Sequence, residues 1–480
     1  MIRIMIIGGG IAGLSAAYYA KKNIPGAIIT LIESNSYWGG KITTERFAFE
    51  GGEFIIEGGP DSFLATKPWG VALCKELGLE ERLHGTNPNK KNTYILNRDR
   101  LLPLPEGLTM MIPSDVASIL RSPLLSWSGK TRMGLDLLLP AKADNGDESL
   151  GTFVSRRLGR EAYENLIEPL MSGIYAGDGD QLSLASTFPY LRDLELKHGS
   201  LVRGAMQMRK QSSGNAVQGS RSAFLTTTTG MAEIVETLVE CLRSNGIILH
   251  LNTPVTAIKR PTADTWSVVV NQGEALETDY LILATPAYVS GAFVSSFDSE
   301  LATVLQSIPY VSTATVSLAY RLSDIPRQLD GYGYVIPRRE GRKALACTWA
   351  STKFPGRAPE GYALLRVFIG RAGQDIPWDE TELLKLAKEE LNLTLSLTTE
   401  PFFSRVSVWY KAMPQYNLGH PEKLKQIDAA LEKQSGLALA GNGYRGIGIP
   451  DCIHSGEMAV EKVIRDHRNA RDMTDLLEPI

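Results

Sequence analysis

Sulfur chemistry has little to work with in this chain: its 480 residues include four cysteines, Cys74, Cys241, Cys347 and Cys452, far apart and never paired as C-x-x-C. That spacing suggests neither a disulfide framework nor a zinc site, and it fits a reducing, cytoplasmic setting. Histidine is scarce as well. The six, His84, His198, His250, His420, His454 and His467, form no H-x-x-x-H pair. With no G-x-S-x-G elbow either, metal and triad chemistry have no support; His420 and His454 read as structural residues. An excess of one charge is also missing. Fifty Lys and Arg against 53 Asp and Glu leave a net charge of -3, which excludes the long-range field of a typical nucleic-acid binder. No apolar run reaches the ~18 residues of a membrane-crossing helix. The amino terminus lacks the pattern of a signal peptide and reads as part of the fold.

What is present is a globular composition, 43% hydrophobic, long enough for roughly two or three domains. The chain opens on MIRIMIIGGGIAGLSAAYYA. Apart from Arg3, residues 2–7 are apolar without alternation, as in a strand buried on both faces of a parallel sheet. Gly8, Gly10 and Gly13 then form G-x-G-x-x-G at the junction with a helix over 12–22. Such glycines permit the tight turn, the close approach of a pyrophosphate and close helix packing, and the helix amino terminus offers free N–H groups to an anion. Glu33 lies 20 residues past Gly13 at the end of a second strand, where a carboxylate accepts ribose hydroxyls.

Sheet-like signals return at residues 246–286 and again at LALAG (437–441), which precedes an apolar helix. The expected fold class is therefore α/β: a Rossmann-like dinucleotide domain built from three discontinuous segments, with an α+β substrate domain and a helical insertion. The segments are read as 1–75, 220–290 and 433–470. The substrate domain takes 76–104 and 291–432, whose alternating pattern predicts a half-covered antiparallel sheet. The insertion spans 105–200. The stretch 197–224, rich in Gly, Ser and Gln, is expected to be a surface loop.

Gly39, Gly40 and Lys41 follow Glu33 closely, and with the first glycine motif they resemble the extended signature of the FAD-binding amine oxidase and protoporphyrinogen oxidase superfamily. That signature usually ends in Arg; Lys41 substitutes a point charge for a bidentate fork. The resemblance implies FAD as cofactor, held by Gly8, Gly9, Gly10, Ile11, Ala12, Gly13, Glu33, Ser34, Gly40 and Lys41. It also implies that Gly59, Pro60, Asp61 and Ser62 lie at the flavin end, that the backbone of Val255 meets adenine, and that Trp409 packs near the flavin. In LALAGNGYRGIGIPDCI a second glycine turn precedes Pro450. Gly448, Ile449 and Pro450 would open a helix whose positive end faces the flavin and favours its reduction.

Four further stretches, GPDSFLATK, NLIEPLMSGIYAGDGDQLSL, WYKAMPQYNLGH and GIGIPDCI, look in this order like the motifs of the bacterial porphyrinogen oxidases of haem biosynthesis, and most like their soluble Gram-positive type. The resemblance implies oxidation of coproporphyrinogen III, and also of protoporphyrinogen IX, in three two-electron steps with oxygen as acceptor and hydrogen peroxide as product. A porphyrinogen has apolar rings and ionised propionates, so the site should be a wide apolar cleft with cations at its rim. Lys67 is the candidate cation, and Gly173, Ile174 and Tyr175, in a loop, would line the pocket. Aromatisation drives the reaction, so no catalytic side chain is assigned. A haem-pathway enzyme is the expected protein partner. The insertion, with Met110, Met111, Leu120, Leu124, Leu125 and Trp127, implies at most peripheral membrane contact. Two other readings stay open: an amine or polyene oxidase of the same superfamily, and a non-enzymatic binding or escort protein on the same fold.

Overall fold

Five short apolar strands from three distant parts of the chain form one parallel sheet, in the order Ile248–His250, Ile28–Ile32, Arg3–Ile7, Tyr280–Leu283 and Leu437–Leu439. A computed structural model describes residues 2–477 of the protein except 50, 110, 145, 215–221, 263 and 272. The strand Arg3–Ile7 lies at the centre of the sheet. On one face Ile4, Ile6, Leu31 and Ile282 pack under the helices Ile11–Asn23, Ala232–Ser244 and Ile449–Leu477. On the other, Met5, Ile7, Leu281 and Leu283 meet Ile258, Trp266 and Val268 of a three-stranded antiparallel sheet. Cover on both faces is why these strands show no alternation.

A second sheet has seven strands, in the order Phe403–Pro414, Tyr310–Arg321, Tyr362–Ile369, Ala344–Trp349, Gly331–Val335, Asn92–Asn97 and Arg100–Pro103. All neighbours are antiparallel except Gly331–Val335 with Asn92–Asn97. In the strand Tyr362–Ile369, Leu365, Val367 and Ile369 pack with Leu383, Ala387 and Leu391 of the helix Glu380–Leu395. Alternation sends Leu364, Arg366 and Phe368 to the opposite face. The sequence pattern predicts a half-covered sheet, but this face is covered as well: Leu364 packs with Phe54, and Arg366 is buried under the turn at Gly59.

Glu390, on that helix, is buried beneath the sheet with its Oε1 unpartnered, and burial pushes its carboxyl up to about 7. A raised acid stabilises the fold below the unfolded value near 4.5 and loses that contribution as pH climbs to about 7, on the order of 3 kcal/mol in all. Glu390→Gln should therefore raise the melting temperature above pH 7 and change it little at pH 4.5, as thermal melts across that range would show.

A helical layer covers one end of the sheets, with Leu150–Leu158, a π turn at Tyr163–Ile167, Glu168–Tyr175, Pro189–His198 and Leu201–Gly214. The last of these corrects the expected loop over 197–224. Leu201, Val202 and Ala205 recur at helical spacing and are buried, a pattern that the neighbouring polar residues mask in the sequence; residues 215–221 lie outside those described. Arg157 ties the layer together. Its fully buried guanidinium donates from Nε to Asp136 Oδ1 at 2.6 Å and from Nη2 to the Gly199 carbonyl at 2.7 Å. Asp136 Oδ2 in turn accepts from Ser200 Oγ and the Val202 N–H. Of the apolar residues in this layer, Leu124 and Leu125 are buried and Met111 is partly so, whereas Leu120 and Trp127 are exposed, Trp127 by 72%. Met110 lies outside the described residues. No helix among the described residues is long and apolar enough to cross a membrane.

Candidate functional site

The first glycine turn lies at the carboxyl edge of the parallel strands, the usual ligand position in such sheets. Gly8 has a positive φ of 110°, and a Cβ there would lie 2.6 Å from the Ala284 carbonyl oxygen. A Cβ on Gly13 would come within 1.9 Å of the Gly8 oxygen. The two glycines thus let strand and helix close on each other. Gly10 caps the helix, and its Cβ position meets nothing within 4 Å. Ile11, Ala12 and Gly13 form the first turn, which contains no acidic residue, so its positive end faces open space.

Glu33 Oε2 accepts the Gly9 N–H at 2.6 Å, while Oε1 accepts from Ser34 Oγ and from the Asn35 N–H and Nδ2. The carboxylate thus organises the turn. Val255 begins a strand, and the stretch before it returns to Glu33: the Thr253 N–H donates to the Glu33 carbonyl at 3.0 Å. Gly39 bridges Gly10, and a Cβ on Gly40 would touch the Gly10 Cα. Lys41 comes next. Burial lowers its pKa, and no carboxylate among the described residues pairs with it.

The far end of the chain arrives at the same place. After Leu437–Leu439 and the turn at Gly441, the helix starts at Ile449 with Pro450 in its first turn and Gly448 just before it. A Cβ on Gly456 would lie 2.4 Å from the Ala12 carbonyl, so the first and last helices touch backbone to backbone. Asp451 accepts both the Gly448 N–H at 3.1 Å and the ammonium of Lys67 at 2.6 and 2.7 Å. Lys67, at the amino cap of the helix Pro68–Glu76, is therefore paired rather than free, as the sequence could not show. Trp69 stacks on His454, and His420 stacks on Tyr416 with Nε2 at 2.8 Å from the Tyr444 carbonyl. Both histidines have structural surroundings.

The turn Gly58–Ser62 rests on the polar face of the seven-stranded sheet. The Gly58 carbonyl accepts Thr315 Oγ1 at 2.6 Å and Trp409 Nε1 at 2.9 Å, and the Gly59 carbonyl accepts Arg366 Nη2 at 2.7 Å. Pro60 leads to Asp61, which takes both Lys353 Nζ contacts at 3.0 and 3.1 Å and the Ser62 hydroxyl at 2.7 Å. Burial alone would raise the Asp61 carboxyl, but Lys353 and Arg366 beside it hold it well below the usual range. Nothing in the sequence marks Lys353, Arg366 or Asp451 as partners: the first two stand in unremarkable helix and strand text, and Asp451 lies within GIGIPDCI.

Gly173, Ile174 and Tyr175 need a correction. They form the last turn of the helix Glu168–Tyr175, and the loop begins only at Ala176, which is left-handed with φ 49°. Gly173 and Ile174 are exposed, whereas Tyr175 is buried against Phe188 and Tyr416. The aromatic ring joins the core because its helical position points inward.

A helix start without a side-chain cap, the Lys41 ammonium without a paired carboxylate among the described residues, and the Glu33 carboxylate at the end of the second strand together suit a dinucleotide with a pyrophosphate anion. The family model for flavin-containing amine oxidoreductases matches residues 11–464. The chain belongs to that family. Among the family's curated members, the coproporphyrinogen III oxidase of Bacillus subtilis (strain 168) is 37% identical over 96% of this chain and 97% of its own length. That of Staphylococcus aureus is 35% identical over 96% and 99%. In structure, a family relative from Exiguobacterium sp. 255-15, provisionally named a protoporphyrinogen oxidase, superposes with a TM-score of 0.84 at 32% identity, covering 96% of this chain and 98% of that one. Putrescine oxidase, at 14% identity and a TM-score of 0.68, shares the fold alone. The family's cofactor is FAD, and the residues at both chain ends fit it.

Proposed function

We propose that the chain is an FAD-dependent coproporphyrinogen III oxidase, which also accepts protoporphyrinogen IX, with molecular oxygen as the electron acceptor and hydrogen peroxide as product. The observation that carries this reading is end-to-end similarity to coproporphyrinogen oxidases in a chain whose first and last helices pack against each other. When bound, FAD supplies the redox chemistry, accepting two electrons at a time from the macrocycle.

The chain's own residues bind and orient. Gly8 to Gly13, Glu33, Ser34, Gly40 and Lys41 hold the adenosine and pyrophosphate, with the Val255 backbone at adenine. Gly59 to Ser62, Trp409, and the helix end at Gly448, Ile449 and Pro450 hold the ring system. The positive end of that helix favours negative charge developing nearby. Gly173 and Ile174 supply wall for the macrocycle, and Lys67 offers its ammonium to a propionate at the mouth, in exchange for Asp451. Tyr175 supports this wall from behind. Because aromatisation supplies the driving force, no side chain is assigned a proton.

The test is anaerobic mixing of the purified protein with coproporphyrinogen, following the yellow flavin absorbance. Bleaching within seconds is expected; none with either porphyrinogen would overturn the proposal. The enzyme is proposed to work in the cytoplasm beside the other enzymes of haem formation, with the exposed face at Leu120 and Trp127 limited to peripheral membrane contact. It should stay in the supernatant of a detergent-free lysate, and recovery only with detergent would contradict this.

A further inference from the structure

The turn Gly58–Ser62 sits over more positive charge than it needs. Three cations, Lys353, Arg357 and Arg366, face two carboxylates, Asp61 and Glu57. Arg366 Nη1 lies 3.4 Å from Asp61 and Arg357 Nη2 lies 3.4 Å from Glu57. Both arginines are about as buried as residues can be, Arg366 at 1% exposure, yet Nε and Nη1 of each have no hydrogen-bond partner. Buried charge is normally paired and fully hydrogen-bonded, and a surplus of one sign in a low-dielectric place attracts the opposite charge strongly.

The surplus has one outlet. Lys353 ends the short helix Ala350–Lys353 beside the turn, and its side chain is 16% exposed. Two of its three N–H donors match the two Asp61 oxygens, and among the described residues nothing accepts the third. The ammonium is walled by the rings of Phe354 at 5.0 Å and Phe224 at 5.7 Å, and Phe224 is itself exposed. The result is a cation in an apolar notch, fixed by Asp61 and backed by Arg366. Lys67, by contrast, is 39% exposed and stands nearer to water.

We propose that Lys353, oriented by Asp61 and backed by Arg366, forms a carboxylate-binding subsite at the floor of the cleft that receives a propionate of the substrate remote from the mouth. The inference rests on the proposed function. A macrocycle with propionates along one edge only keeps them at the mouth, in reach of Lys67 and water. One with propionates on all four rings must carry some of them inward, and an inward carboxylate is tolerated only where cations outnumber the carboxylates already there, as Lys353 and Arg366 together outnumber Asp61. The subsite is thus a determinant of preference for the four-carboxylate porphyrinogen over the two-carboxylate one.

The test compares wild type, Lys353→Met and Lys353→Arg. It measures KM for both porphyrinogens and, independently of turnover, Kd for coproporphyrin III and protoporphyrin IX from Soret shifts. Lys353→Met should raise KM and Kd about tenfold for the four-carboxylate ligand and less than about twofold for the other, the loss of one charge-assisted hydrogen bond. Lys353→Arg should restore most of the difference. Lys353→Gln, which keeps a donor for Asp61, replaces the Met variant if that one does not fold. Equal effects on both ligands, or none on either, would overturn the subsite. Failure of the wild type to oxidise coproporphyrinogen would instead strike the proposed function, and the Kd ratios would still report on the subsite.

Discussion

Gly13→Ala is expected to yield protein that carries less than about a tenth of the wild-type FAD, read from the ratio of absorbance at 450 and 280 nm. The added methyl would sit 1.9 Å from the Gly8 carbonyl oxygen and 3.2 Å from the Ala284 Cβ. The obstacle is backbone on one side, so no rotamer change relieves it. The helix must back away from the strand, and the N–H groups at its start then lose their aim at the pyrophosphate, whose binding depends on several aligned donors. A yellow Gly13→Ala protein with full flavin content would show that the turn does not hold the cofactor.

Arg157→Met should cost about 3–5 kcal/mol of stability, because it leaves the fully buried Asp136 carboxyl without its partner. Asp136 and Arg157 are both fully buried. Arg157 also satisfies the carbonyls of Leu139, Pro140 and Gly199, so its removal strands several acceptors at once. Denaturant titration followed by circular dichroism should show an early transition from the helical layer, and trypsin should cut there first. Replacing both partners, Arg157→Met with Asp136→Leu, should recover much of the loss. A double variant as weak as the single one would place the effect in packing rather than in the buried charge.

The parallel sheet was legible because its strands carry an unusual message: Ile4 to Ile7 and Tyr280 to Leu283 are apolar at every position, and glycines follow the first of them. A turn that requires glycine announces itself locally. The second sheet was legible through its alternation, as in Ala314 to Arg321. What escaped was non-local. The helix at Leu201 is disguised by its polar neighbours and earns its place only through burial against the rest of the layer. Tyr175 looked like part of a loop because Gly173 and Gly177 flank it, but the helix runs through Gly173. Lys353 and Asp61 stand almost 300 residues apart, and nothing in either neighbourhood marks them as partners. The same holds for Lys67 and Asp451.

The strand Leu437–Leu439 forms the edge of the very sheet that Arg3–Ile7 begins, and this order constrains how the molecule comes into being on the ribosome. More than nine-tenths of the chain must emerge before the edge is covered and the last helix can settle on Ala12. Until then the nascent amino-terminal unit exposes an apolar flank, a liability for sheets assembled from distant pieces. Premature stops anywhere upstream of that strand should therefore leave aggregation-prone fragments rather than smaller working enzymes.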